Sequence, residues 1–145
     1  MFSLQTIFGK GDKFYGLLEA SAAAARESAR ALGELLATPP AQRSLEKFKL
    51  ARQREKNLAA QISQELVNTF VTALEREDIE ALSNVLYKIP KVVEKFAERY
   101  MLAYERIGDV DFGARAAMLE RACAVLEDMV GQLRKGMALE TTKAA

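Results

Sequence analysis

The sequence predicts an all-α fold, an antiparallel up-down bundle of four long helices. Three observations carry this reading. Half of the 145 residues are hydrophobic, enough for a core, and they recur every three or four positions rather than every two. Only three prolines and eight glycines punctuate the chain, and they fall where they divide it into four long segments. The stretch richest in β-branched and aromatic residues, Thr69 to Leu74, is a few residues long between two helical patterns, and it reads as a loop.

The first helix is expected over residues 12–37. Phe14, Leu17, Leu18, Ser21, Ala24, Ala25, Ala29, Leu32 and Leu36 share its inner face, and Asp12 stands where an N-cap would. The alanine run Ala22 to Ala25 suits close approach of a neighbouring helix. Thr38-Pro39-Pro40 ends the segment, because the residue before a proline is pushed out of the helical region.

The second helix is expected over residues 44–70, with Ser44 as its cap and Phe48, Ala51, Leu58, Ile62, Leu66 and Phe70 inward. Glu55 falls in the gap of that stripe, within the wholly polar stretch Arg52 to Asn57. The third helix, residues 75–107, opens with acidic Glu75, Glu77 and Asp78, which suit the positive end of the helix dipole. Ile79, Leu82, Val85, Leu86, Ile89, Val93, Phe96, Tyr100 and Ala103 form its stripe. Pro90 lies inside and predicts a kink, since it removes a backbone donor.

Gly108 stops the third helix and Asp111 can cap the fourth, expected over residues 111–135. Ala114, Met118, Ala122, Val125, Leu126, Met129 and Leu133 are its predicted inner face, and residues 136–145 are expected to form a flexible tail. Short linkers make successive helices antiparallel neighbours. The whole chain is expected to be one domain.

The composition also bounds the chemistry. With 21 basic against 20 acidic residues, no bulk attraction to nucleic acid is expected. The chain has no histidine, so neither a Ser-His nor a Cys-His dyad can form, and a ferritin-like di-iron site lacks its ligands. Cys123, the sole cysteine, sits among apolar residues and reads as a small core side chain. Phe8-Gly9-Lys10-Gly11-Asp12 lacks the spacing of a phosphate-binding loop and reads as a flexible lead-in. No run of about 18 apolar residues exists, so no membrane span is expected. The first residues lack the basic and apolar regions of a secretory leader, so the cytoplasm is the expected compartment. No catalytic residue, metal ligand or cofactor site emerges, and the chain reads as a binding or regulatory protein.

The most distinctive stretch runs from Leu66 to Leu82 and contains Thr69-Phe70-Val71-Thr72 followed by Arg76-Glu77-Asp78-Ile79. Read alone, Arg76 can neutralise its acidic neighbours and bond the preceding chain, while Glu77 or Asp78 can take up free N–H groups at the helix start. The stretch resembles the helix-loop-helix of the PhoU-like family called "domain of unknown function 47", the Pit accessory proteins or phosphate transport regulators. The opening Phe8-Gly9-Lys10-Gly11-Asp12-Lys13-Phe14-Tyr15-Gly16 is similar to that family's start. The resemblance implies a PhoU-like bundle and a regulatory role in inorganic phosphate transport. The partner would be a membrane phosphate transporter or signalling protein, met at the inner face of the membrane.

Departures from the family pattern are as informative. Its repeats carry carboxylates four apart on two helices, where hard oxygen donors can gather a cation. Here those positions fall on Arg52 and Lys56, with Arg54 between them, and on Tyr87 and Lys91, with Lys88 adjacent. Ammonium and guanidinium groups have no lone pair for a metal, so the family's metal cluster is expected to be absent. Arg52, Arg54, Lys56, Lys88 and Lys91 are instead a candidate anion or acidic-partner site. The alternative is a solvated face in which they pair with Glu46, Glu55 and Glu94.

Family members continue into a further helix pair near where this sequence ends, so it is read as a short member or a fragment. Self-association is expected of any apolar surface this leaves. The function expected is that of a non-catalytic accessory protein of phosphate transport, acting by protein contact. A self-assembling structural bundle with no phosphate role is the alternative.

Overall fold

The computed structural model describes residues 4–143 apart from Val71 and Ala73, with side chains described within residues 12–136. It is all-helical among those residues: α1 (Leu4–Ala37), a short 3-10 turn (Pro40–Gln42), α2 (Glu46–Asn68), α3 (Arg76–Ile107) and α4 (Gly113–Lys143). The four-helix bundle expected from the periodicity is the architecture found. No helix of the described residues is long and apolar enough to cross a membrane.

Gly108 follows the end of α3 as expected, but Gly9, Gly11 and Gly136 do not interrupt their helices. α1 begins at Leu4 and runs through Gly9 and Gly11, so Asp12 lies inside the helix instead of capping it. α4 likewise passes Gly136 and continues to Lys143. A glycine costs a helix about 1 kcal/mol relative to alanine, which weakens it without breaking it. α2 ends at Asn68, two residues short of Phe70. Ser44 and Asp111 each lie one residue before the position that caps α2 or α4, Leu45 and Phe112, and each bonds the first N–H of its helix. The Gly113 N–H donates to Asp111 Oδ1 at 2.7 Å, and the Glu46 N–H donates to Ser44 Oγ at 3.2 Å. α3 is continuous across Pro90, whose ring is fully buried.

α1 is the hub, packing against all three other helices, and α2 packs on α3. Ion pairs fix the directions. Arg134 late in α4 reaches Asp12 and Glu19 early in α1, at 3.0 and 3.2 Å, while Arg30 reaches Glu120 at 3.1 Å. α1 and α4 are therefore antiparallel. The expectation that all successive helices pack as neighbours fails for α3 and α4. Among the described residues, no Cα of one lies within 8 Å of a Cα of the other. α4 returns to α1 instead, where Ala22, Ala24, Ala25 and Ala29 are fully buried in the bundle and small side chains permit close approach.

The interior divides into two hydrophobic clusters. One joins Phe14, Leu18, Ile62, Ile79, Leu86 and Val130. The other joins Leu32, Leu35, Phe48, Val93, Tyr100 and Ala116 at the opposite end. There Phe96, Tyr100, Tyr104 and Phe112 pack edge-on or stacked. The Arg43 guanidinium lies 4.3 Å from the Tyr104 ring centroid, and its Nε donates to the Leu35 and Thr38 carbonyls. That arginine closes the C-terminus of α1, satisfying carbonyls that helix geometry leaves free.

α4 presents a face that shares only Leu126 and Leu133 with the predicted one. Ala116, Cys123 and Val130 are buried, with Leu119, Leu126 and Leu133 at their flank. Ala114, Met118, Ala122, Val125 and Met129 are exposed. This helix carries apolar residues around most of its circumference, so periodicity alone does not select the buried side.

Candidate functional site

The α2–α3 seam holds part of the basic cluster. Arg52 projects from α2 toward α3, its side chain only 12% exposed. Its Nε donates to Glu94 Oε2 at 3.1 Å, its Nη2 lies 3.5 Å from the Tyr87 hydroxyl, and its guanidinium sits 4.9 Å from that ring's centroid. Nη1 is buried with no partner among the described residues. The Tyr87 phenol is lowered from its ordinary value, first by the Arg52 hydrogen bond and charge and then by Lys56 and Lys91. Arg52, Lys56, Tyr87 and Lys91 thus share one neighbourhood.

The other two basic residues do not join it. Arg54 turns to the opposite side of α2 and grips both carboxylate oxygens of Glu27 on α1, at 2.9 and 3.0 Å. Lys88 stands exposed on the outer side of α3. Arg52 is already neutralised by Glu94, so Lys56 and Lys91 supply the charge left open at the seam. Among the described residues, no group of three or more Cys, Asp or Glu side chains gathers in a way that could hold a metal ion.

Glu55 is the functional-looking residue that lay outside the predicted site. It is 0% exposed and hydrogen-bonded to Ser21 of α1, with its second oxygen unpartnered. Burial pushes its carboxyl up, against the lowering effects of the Ser21 bond and the Arg52 and Arg54 charges. The signal was present in the sequence: Glu55 falls in the inward stripe of α2, and Ser21 in that of α1. A polar residue in phase with an apolar stripe is placed in the core by its neighbours.

The α2–α3 corner is held by Arg76. Its guanidinium donates to the carbonyls of Leu66, Thr69 and Phe70, as the expectation that it bonds the preceding chain requires. It forms no ion pair with Glu75, Glu77 or Asp78 among the described residues. Nor does any side chain cap α3, so the capping role expected of Glu77 or Asp78 is not found. Both are exposed. The backbone closes the turn instead, the Asp78 and Ile79 N–H groups donating to the Glu75 carbonyl. Phe70, expected on the inner face of α2, stands 97% exposed past the helix end, because Thr69 has already left helical geometry.

Cys123 is buried, and its thiol is pushed up by burial and by nearby Glu120. Such a thiol is a poor nucleophile. Compared with known proteins, the chain matches no family model, no curated protein and no solved structure.

Proposed function

We propose that the chain is a non-catalytic accessory protein of inorganic phosphate transport that works by contact with another protein. The observation that supports the contact reading is the apolar outer surface of α3 and α4, which share no Cα pair within 8 Å among the described residues. Val85, Val92, Met118, Val125 and Met129 stand exposed there, and a contiguous apolar surface on a folded domain marks an interaction site. The phosphate-transport reading rests on the Thr69 to Ile79 loop and its resemblance, with Arg76 bonding that loop's carbonyls in the way its position suggests. The partner in this reading is a membrane phosphate transporter or its signalling protein.

Deletion of the gene tests it. Altered phosphate uptake, restored by the intact gene and not by one carrying Val92→Glu, is the expected outcome. Uptake unchanged across phosphate-replete and phosphate-starved cells would sink the transport reading.

A further inference from the structure

The side of the bundle between α3 and α4, whose inner side chains join the two hydrophobic clusters while no Cα pair comes within 8 Å among the described residues, has a definite chemistry. Along α3, Leu82, Ile89 and Phe96 are half-buried, and Val85 and Val92 stand further out. Along α4, Leu119, Leu126 and Leu133 are half-buried, with Met118, Val125 and Met129 further out. Near the late end of α3 the strip deepens into an apolar pocket of about 310 Å³, floored by Leu32 and Leu36 of α1 and walled by Phe96 and Leu119. A pocket of this kind takes a bulky apolar anchor.

The rim is cationic. Lys88, Lys95 and Arg99 continue the row of Val85 and Val92 at steps of three and four residues, which keeps them on one side of α3. Arg115 stands at the pocket from the α4 side. All four are exposed, and among the described residues none forms an ion pair. On other sides of the bundle Arg26, Arg30, Arg52, Arg54 and Arg134 each meet a carboxylate of a neighbouring helix, while Lys56 and Lys91 stay open at the α2–α3 seam. Of the carboxylates on α3 from Leu82 to Phe96 and on α4 from Leu119 to Leu133, Glu94 turns to Arg52 on the α2 side and Glu120 and Glu127 turn to Arg30 and Arg26 of α1, while Asp128 stands exposed beside Met129.

We infer that the α3/α4 face receives an amphipathic helix of another protein, bearing a bulky apolar anchor and acidic flanks. The inference rests on the contact reading above and specifies the partner's chemistry. From Leu82 to Phe96, α3 rises roughly 21 Å at 1.5 Å per residue, so a helix of about four turns covers the strip. Apolar residues at helical spacing meet the strip, and Glu or Asp beside them meets the four cations. A second copy of this chain is a poorer occupant. A two-fold contact of the face with itself would bring its cationic rims together, and like charges across an interface disfavour pairing.

The chain has no tryptophan, so a peptide's tryptophan reports its own burial. The probe is a 16-residue leucine-based amphipathic peptide with one tryptophan anchor, made with glutamate flanks and again with lysine flanks. The expected result is a saturable blue shift with the glutamate peptide, about tenfold or more tighter than with the lysine peptide and weakening with salt. Val92→Glu should weaken it at least about tenfold at unchanged helicity. Lys95→Glu/Arg99→Glu/Arg115→Glu should reverse the preference between the two peptides.

Equal binding of both peptides, no blue shift, or indifference to Val92→Glu overturns the inference. So does sedimentation showing that the chain alone is a dimer dissolved by Val92→Glu, which would make a second copy the occupant. Loss of uptake on deletion together with failure of the peptide removes this surface assignment alone. Peptide binding with normal uptake removes the transport reading alone.

Discussion

Ser21 of α1 and Glu55 of α2 are hydrogen-bonded to each other with both residues fully buried. The sign of the Glu55 shift makes this pair a pH-dependent element. Its carboxyl is raised in the fold, so the folded chain holds that proton to higher pH than the unfolded chain, whose glutamate titrates near about 4.3. The contribution of Glu55 to stability is complete below the unfolded pKa and is lost as pH rises through the folded one. Glu55→Gln should flatten this part of the profile. Glu55→Met, which also removes the unpartnered oxygen, should be more stable than the parent at pH 7 by roughly 1–3 kcal/mol. Urea midpoints from pH 4 to 7 measure both; a parent profile no steeper than that of Glu55→Gln contradicts the first.

Arg76 donates to three carbonyls at the corner between α2 and α3. Arg76→Ala should cost about 1–3 kcal/mol, as loss of charge-assisted bonds does. Arg76→Lys should recover little of that, because an ammonium lacks the fork that spans separate carbonyls. Glu77→Ala and Asp78→Ala should stay within about 0.5 kcal/mol of the parent, since neither side chain caps the helix. Denaturant melts of the four variants give the ranking.

Arg52 holds the Tyr87 phenol below its ordinary 10.0, whereas burial raises Tyr15. Alkaline titration of tyrosinate absorbance should therefore show an early phase that Tyr87→Phe removes. Arg52→Met should move that phase upward. An early phase that persists in Tyr87→Phe would assign it to another tyrosine.

Ala25 and Ala29 are fully buried on the hub helix. Ala25→Leu should cost roughly 1–3 kcal/mol through overpacking, read as a lower thermal midpoint. Val92→Glu, on an exposed site, should leave the midpoint close to the parent's.

Much of this fold is legible in the sequence because α1, α2 and α3 each carry one dominant apolar stripe. Phe14, Leu18, Phe48, Ile62, Ile79, Leu86 and Val93 are buried where the spacing puts them. α4 was not legible in the same way. Its Met118, Val125 and Met129 match helical spacing as well as Ala116, Cys123 and Val130 do, and only the alanine face of α1 chooses between them. The basic cluster was legible by residue type but not by direction: Arg52 and Arg54, two positions apart, point to different neighbouring helices. Glu55 reads as polar until the stripe through Ala51 and Leu58 places it inside.

The seam between α1 and α4 is the most extensive helix pair in the bundle, and it joins residues as far apart as Asp12 and Arg134, 122 positions along the chain. During synthesis α1 emerges before α4, and its alanine face stays open until α4 has left the ribosome. An all-helical protein of this length would ordinarily assemble through local contacts and do so quickly. Here the closing step waits for α4, and refolding should be slower than the helix content suggests.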